Sequence, residues 1–334
     1  MADLNVAVLG GGSWGTTVAS LTTRNAPVTL WARNPDTVEE INRAHTNETY
    51  LPGAQLPNAL RATNDIADAV SHADLVVMGI PSQNFRSVLE EVSKHLRPWV
   101  PVISLTKGLE LATSKRMTEI INEVVPEHPV GVLTGPNLAR EIMAGQAAAG
   151  VIAMDDDIIV RSLQKVFKSG LFRVYTNTDV IGCELGGVLK NIIAIAVGMG
   201  DGQGAGDNTR AALITRGLAE VTRLGVAMGG KAETFAGLAG MGDMIATCTS
   251  PQSRNRHVGI ELGRGKTMEH IAEEMFMVAE GAKSAPAVMA LAEHYDIDMP
   301  ITRDVYRVIS GETNARGVYR GLLRVVAGAE SEPG

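Results

Sequence analysis

Cysteine is nearly missing from this chain: Cys183 and Cys248 are the only two in 334 residues, and they lack metal-ligand spacing. That scarcity excludes a disulfide-stapled scaffold, offers no metal site, and fits a reducing cytosol. A long basic tract is missing too. Thirty lysines and arginines stand against 37 aspartates and glutamates, a formal charge of −7, which argues against general nucleic-acid binding and against an anionic-membrane binder. No basic leader or cleavage motif precedes the strand-like run Asn5 to Leu9, and no apolar segment reads as a membrane span. The expectation is a cytoplasmic protein with no nucleic-acid partner and no membrane insertion. Any anion site must be local.

What is present is length enough for two cores. Short β-rich runs at Val6 to Leu9, Val28 to Trp31, Leu75 to Ile80, Val102 to Leu105 and Val130 to Thr134 alternate with helical patterns, and Gly150 to Met154 and Phe172 to Tyr175 extend the series. Alternation of this kind predicts a parallel sheet with helices on both faces, an α/β Rossmann-like doubly wound unit. After about residue 180 only helical periodicity remains, in Thr209 to Leu224, Arg254 to Leu262, Thr267 to Met275, Ala285 to Glu293, Thr302 to Ile309 and Ala315 to Val326. The expected division is therefore 1–180 for the dinucleotide unit, 181–328 for an all-helical unit and 329–334 for a flexible tail.

The first unit carries Val6-Ala-Val-Leu-Gly10-Gly-Gly12-Ser-Trp-Gly15, a G-x-G-x-x-G pattern with a strand before it and a helix after it. In that context Gly10 serves a tight turn, Gly12 lets the backbone approach a pyrophosphate, and Gly15 lets helix and strand pack closely. Ser13 and Trp14 share the loop. The second strand ends in Arg33 and Asn34 where an acid would accept hydrogen bonds from the ribose of NAD. An arginine suits the 2′-phosphate of NADP, so NADPH is expected to be preferred, with NADH possible; a plain surface arginine is the alternative. Lys107 follows the fifth strand run, where ligands of open α/β sheets gather, and could hold an anion or simply be solvated. Gly135 stands at the end of the next run and permits close backbone approach.

One lysine interrupts the apolar stretch Leu185 to Gly200. Lys190 shares its helix face with Gly182, Gly186, Gly187, Ala194 and Gly198, so its ammonium is expected to point into space kept open by small residues. Lost hydration would bring such a lysine toward proton exchange near neutrality; snorkelling or pairing with a carboxylate is the structural alternative. Farther on, Gly237 to Asn255 gathers Asp243, Thr247, Ser253, Arg254 and Asn255 around glycines. Arginine and asparagine side by side suit a phosphate, and Asp243 complements Lys190. The same residues could also be helix caps and turn formers.

With these segments together, the chain resembles the NAD(P)-dependent glycerol-3-phosphate dehydrogenase family over nearly its whole length. The likeness lies in Gly10 to Gly15, Ser104 to Leu109, Thr134 to Pro136, Leu189 to Ala194, Gly206 to Asn208, Gly240 to Asp243, Ser253 to Asn255 and Val278 to Gly281. It implies hydride transfer between C4 of the nicotinamide and C2 of dihydroxyacetone phosphate, giving sn-glycerol 3-phosphate for phospholipid synthesis. It further implies Lys190 as the catalytic proton donor and acceptor, with Lys107, Gly135, Asp243, Ser253, Arg254 and Asn255 around the substrate. Ser13, Trp14, Arg33, Lys107, Ala139, Arg254, Val278 and Glu280 would contact the cofactor, Thr247 would orient Lys190, and no metal is required. Asn137 departs from the Ser or Thr of many relatives and inherits no contact. The family pattern also implies a Rossmann domain joined to a helical domain, often in a homodimer. A lysine-dependent hydroxy-acid dehydrogenase and a nicotinamide-binding redox sensor without turnover stay open at this point.

Overall fold

The computed structural model describes residues 4–275 and 279–322. The chain divides into two compact units, one of Met1–Thr106 with Lys115–Val180, the other of Lys107–Ser114 with Ile181–Gly334. The short Lys107–Ser114 stretch thus belongs with the later residues, which the linear division at 180 did not foresee. The expected tail at 329–334 lies outside the described residues.

The first unit is built on strands β1 (Val6–Leu9), β2 (Val28–Trp31), β3 (Arg61–Thr63), β4 (Leu75–Met78), β5 (Val102–Ser104), β6 (Val130–Thr134), β7 (Ala148–Met154) and β8 (Phe172–Asn177). Between them run α1 (Ser13–Thr22), α2 (Pro35–Ala44), α3 (Ile66–Val70), α4 (Ser82–Ser93), α5 (Met117–Val124), α6 (Ala139–Met143) and α7 (Asp157–Phe167). One sheet holds all eight strands in the order β3-β2-β1-β4-β5-β6-β7-β8. Side chains alternate between faces, so Val6 and Val8 join a core with residues of α1, α2, α6 and α7. Ala7 and Leu9 join the opposite core with residues of α3, α4 and α5. Both faces being covered explains why the central strands read as unbroken apolar runs.

Three expectations need correction. The sheet is not wholly parallel, because β7 pairs antiparallel with β6, Thr134 opposite Val151, while β8 is parallel to β7. Apolar patterning reports which residues are buried but not strand direction, so the reversal left no trace in the sequence. The third strand was also missed: Arg61–Thr63 has three residues, the first exposed, at the edge of the sheet. The expected Leu75 to Ile80 strand ends at Met78.

In the second unit α8 (Val180–Gly202) is the axis, and α9 (Asp207–Ala227), α10 (Ala232–Phe235), a π-helical turn at Leu238–Gly242, α11 (Asp243–Thr249), α12 (Arg254–Gly263), α13 (Met268–Glu274), α14 (Glu280–His294), α15 (Pro300–Ile309) and α16 (Ala315–Leu322) follow. Every residue of α8 from Gly182 to Gly200 is buried. Contrary to the expectation that no segment could span a membrane, α8 is long and apolar enough to do so, at a mean hydropathy of 1.8. Of its apolar 18-residue stretch, however, 89% is buried inside the structure, as in a core helix.

Gly186 and Gly198 do not hold space open, which corrects the expectation for these positions of the Lys190 face. A Cβ on Gly198 would lie 2.1 Å from the Arg256 carbonyl oxygen, and one on Gly259 would lie 2.1 Å from the Ile195 carbonyl oxygen. Helices α8 and α12 therefore meet backbone to backbone, and again one turn on at Gly202 and Gly263. Gly186 does the same for the π-helical turn, its Cβ position being 2.6 Å from the Ala239 carbonyl oxygen.

Candidate functional site

In the first unit the glycine-rich loop leaves β1 beside β4, where the strand order reverses, the place at which open α/β sheets bind ligands. Gly10 has φ of +122°, and a Cβ there would stand 2.3 Å from the Gly79 carbonyl oxygen. A Cβ on Gly15 would stand 2.0 Å from the Gly10 carbonyl oxygen. The Cβ position of Gly12, in contrast, has no neighbour within 4 Å. Two glycines close the turn and the third leaves its backbone uncovered. Helix α1 begins directly after Gly12 with no side-chain cap, so its first amide protons and dipole remain available to a phosphate. This cradle fits the pyrophosphate of a dinucleotide.

The remaining loop residues are engaged in specific ways. The Ser13 hydroxyl donates to the Tyr50 carbonyl at 2.8 Å. Trp14 sits edge-on to Phe172, ring centroids 6.2 Å apart, and packs against the unit's core. Arg33 is exposed two residues beyond β2. Gly135 has φ of +116°, and a Cβ there would come within 3.1 Å of Gly150 Cα; it serves the approach of β6 to β7. Ala139 opens α6.

The second unit holds the ionisable cluster. Lys190 Nζ donates to Asp243 Oδ1 at 2.6 Å and also to Thr247 Oγ1. Thr247 in turn donates to the Asp243 main-chain carbonyl at 2.7 Å. Lys107 Nζ donates to Asp243 Oδ2 at 2.7 Å. The side chains of Lys190, Asp243 and Lys107 are 5%, 3% and 17% exposed. One carboxylate therefore bridges two ammonium groups in a place nearly without water. Burial of an unpaired charge costs several kcal/mol or more, roughly, and pairing through hydrogen bonds offsets it. The alternative in which Lys190 snorkels outward is excluded, since its amine ends in the interior.

Local structure produces this placement. Gly186, one helical turn before Lys190, admits the π-helical turn against α8, and Asp243 follows that turn directly as the first residue of α11. Such π turns recur at functional sites because they re-aim one side chain without ending the helix. Burial draws the Lys107 amine down from its ordinary 10.5 to about 8; Asp243 opposes the shift and the like charge of Lys190 adds to it. Cys248, beside Thr247 in sequence, is pushed up to about 12 by burial and stays an inert thiol.

Ser253 caps α12, its hydroxyl accepting from the Arg256 amide at 3.2 Å. Arg254 is exposed at the first position of that helix. Asn255 is buried, donating to Asn191 Oδ1 at 3.0 Å while its own Oδ1 accepts from the Gly281 amide at 3.0 Å. Asn191, adjacent to Lys190, stood inside the Leu189 to Ala194 likeness without a role of its own, and its bond to Asn255 now supplies one. Glu280 opens α14. Val278 lies outside the described residues. No cluster of metal-ligating side chains occurs among the described residues.

A pyrophosphate cradle on a doubly wound sheet and a buried lysine with its counter-ion define the class, a dinucleotide-dependent oxidoreductase. Within that class the chain belongs to the NAD-dependent glycerol-3-phosphate dehydrogenase family: residues 5–159 match its N-terminal part and residues 179–320 its C-terminal part. It is 70% identical over 331 residues to glycerol-3-phosphate dehydrogenase (NAD(P)+) 2 of Sphingopyxis alaskensis, covering 99% of both chains. It is 54% identical over 326 residues to glycerol-3-phosphate dehydrogenase (NAD(P)+) 1 of Mycobacterium tuberculosis, covering 97% of this chain and 96% of that one. The crystal structure of glycerol-3-phosphate dehydrogenase from Coxiella burnetii superposes with a TM-score of 0.92 at 36% identity, covering 97% of this chain and 99% of that one.

Proposed function

We propose that this protein catalyses the reversible reduction of dihydroxyacetone phosphate to sn-glycerol 3-phosphate with NADPH, and less well with NADH, as a cytoplasmic homodimer that supplies glycerophospholipid synthesis. When bound, the nicotinamide cofactor supplies the hydride that reaches C2 of the substrate. The amides after Gly12 would hold its pyrophosphate, with Gly10 and Gly15 shaping the turn, and Arg33 its 2′-phosphate. Ser13, Trp14, Lys107, Ala139, Arg254, Val278 and Glu280 complete the cofactor assignment.

The observation that carries this proposal is the cluster around Lys190 Nζ, fixed by Asp243 and Thr247. From there the Lys190 ammonium gives its proton to the oxygen on C2 as charge develops on it, and takes it back in the reverse direction. Two ammonium groups share one carboxylate, so the cluster carries a surplus positive charge while both are protonated, which favours an anionic substrate. Arg254 and Asn255 would hold the phosphate, and Gly135, Lys107, Asp243 and Ser253 the rest of the substrate. Binding energy from a non-reacting phosphate can then orient the carbonyl. The hydroxyl of Ser253 already caps α12 and both polar atoms of the Asn255 amide have partners. These bonds fix the start of α12 and leave the Ser253 hydroxyl hydrogen and the second amide proton of Asn255 as the groups that would donate to the substrate.

Family membership favours this activity over a hydroxy-acid dehydrogenase or a turnover-free sensor. The test is loss of NADPH absorbance at 340 nm with dihydroxyacetone phosphate, run beside a panel of 2-keto acids. Turnover confined to the phosphate ester is expected, and turnover confined to the keto acids would overturn the assignment.

A further inference from the structure

The connection from α2 to β3 returns across the glycine-rich loop and is fastened to it. Asn47, wholly buried, donates from Nδ2 to the Gly11 carbonyl at 2.9 Å and to Thr16 Oγ1 at 3.0 Å. Three residues on, the Tyr50 carbonyl takes the Ser13 hydroxyl. The turn that bears both contacts is closed on itself, since the Asn47 carbonyl accepts from the amides of Tyr50 at 3.2 Å and Leu51 at 2.7 Å. It is also tied to α2, where Glu40 Oε1 accepts from Thr46 Oγ1 at 2.8 Å and from the Glu48 amide at 2.7 Å.

We propose that Asn47 is a positioning residue for the dinucleotide: by holding the Gly11 carbonyl it sets the Gly11–Gly12 peptide plane so that the Gly12 amide faces the pyrophosphate. A trans peptide points its C=O and its N–H in opposite directions, so fixing one fixes the other. Between two glycines this plane is otherwise soft, and no side chain opposes its rotation. A flipped plane would turn the Gly11 carbonyl oxygen toward the phosphates, an acceptor facing an anion. The bond from Asn47 to Thr16 anchors the amide to the first turn of α1, so the carbonyl is held relative to the helix whose N-terminus meets the ligand. Asn47 never touches the cofactor and acts through Gly11. This inference rests on the proposal that the first unit binds a nicotinamide dinucleotide.

The test compares Asn47→Ala with the unaltered protein by titration with NADPH, NADH and adenosine 2′-monophosphate, which has no pyrophosphate, and by steady-state kinetics. Loss of the orienting bonds should weaken NADPH and NADH together by about tenfold, the scale of one or two hydrogen bonds. The ratio between the two cofactors, the affinity for adenosine 2′-monophosphate and kcat at saturating NADPH should all stay the same, so only KM rises. Thr16→Val, of equal size, removes one of the two acceptors and should give the same pattern at about threefold; it carries the test if Asn47→Ala does not fold. An unchanged NADPH affinity in a folded variant, or an equal loss for adenosine 2′-monophosphate, would overturn the inference alone. Failure of the unaltered protein to bind NADPH would overturn the dinucleotide assignment, and the inference with it.

Discussion

Lys107 offers a perturbation whose direction can be worked out from the structure. Its side chain is 17% exposed and its pKa is drawn to about 8 by desolvation, with the Asp243 carboxylate pushing back and Lys190 adding to the fall. If the charged amine holds the substrate anion, kcat/KM for reduction of dihydroxyacetone phosphate should fall on the alkaline side of pH 8. The fall should approach roughly tenfold per pH unit, as loss of a single proton requires. Lys107→Arg keeps its charge to beyond about pH 12, so that limb should vanish whatever happens to the absolute rate. Asp243→Asn removes the charge that opposes desolvation and should move the limb to lower pH. Stability follows the same proton. The folded pKa lies below the unfolded one, so between about pH 8 and 10.5 the unfolded chain binds more protons and stability rises with pH. Below pH 8 the cost is present in full, about 3 kcal/mol at about 1.4 kcal/mol per pKa unit. Denaturant titrations across this window should show the native protein gaining stability relative to Lys107→Met. A profile of kcat/KM that stays level to about pH 9.5, or a limb that still sets in near pH 8 in Lys107→Arg, would refute the reasoning.

Two further substitutions address cofactor choice and phosphate recognition. Arg33→Asp should exchange a partner of the 2′-phosphate for a partner of the free ribose hydroxyls, reversing the ranking of NADPH over NADH in kcat/KM; an unchanged ratio would remove Arg33 from cofactor selection. Arg254→Leu should lower kcat/KM for dihydroxyacetone phosphate by about tenfold to several hundredfold, the scale of lost charged hydrogen bonds. Unphosphorylated dihydroxyacetone should lose much less, and equal losses on both substrates would place Arg254 on the cofactor or on structure instead.

Much of this was legible in the sequence because burial on two faces leaves a strong mark. β1, β2 and β6 appear with the same ends in sequence and structure, since a strand covered by helices on both sides needs a short apolar run, and the glycine or polar residues at its ends mark where that cover stops. Lys190 was conspicuous for the converse reason, a charge in a stretch that had to be interior, and the glycine-bounded acid Asp243 was recognisable as its complement. What escaped is information that the pattern of apolar residues does not carry. The reversed direction of β7 changes no side chain's environment. The three residues of β3 are too few to show a period. The glycines around Lys190 look the same whether they leave a void or admit another backbone, and only the Ala239 carbonyl oxygen, 2.6 Å from where a Cβ on Gly186 would stand, decides it. Asn47, in a loop after a helix, reads as an ordinary turn former until its bond to Gly11 is seen.

The central claim, that the buried Lys190 moves the proton, is tested most directly by Lys190→Met assayed for kcat while NADPH binding and the unfolding midpoint are followed on the same preparation. Methionine fills the volume of the lysine stem and removes only the amine that Asp243 and Thr247 hold. General acid catalysis contributes about 10²- to 10⁴-fold, so kcat should drop by that factor or more with NADPH still bound and the fold retained. A folded, NADPH-binding Lys190→Met protein with near-normal kcat would contradict the account.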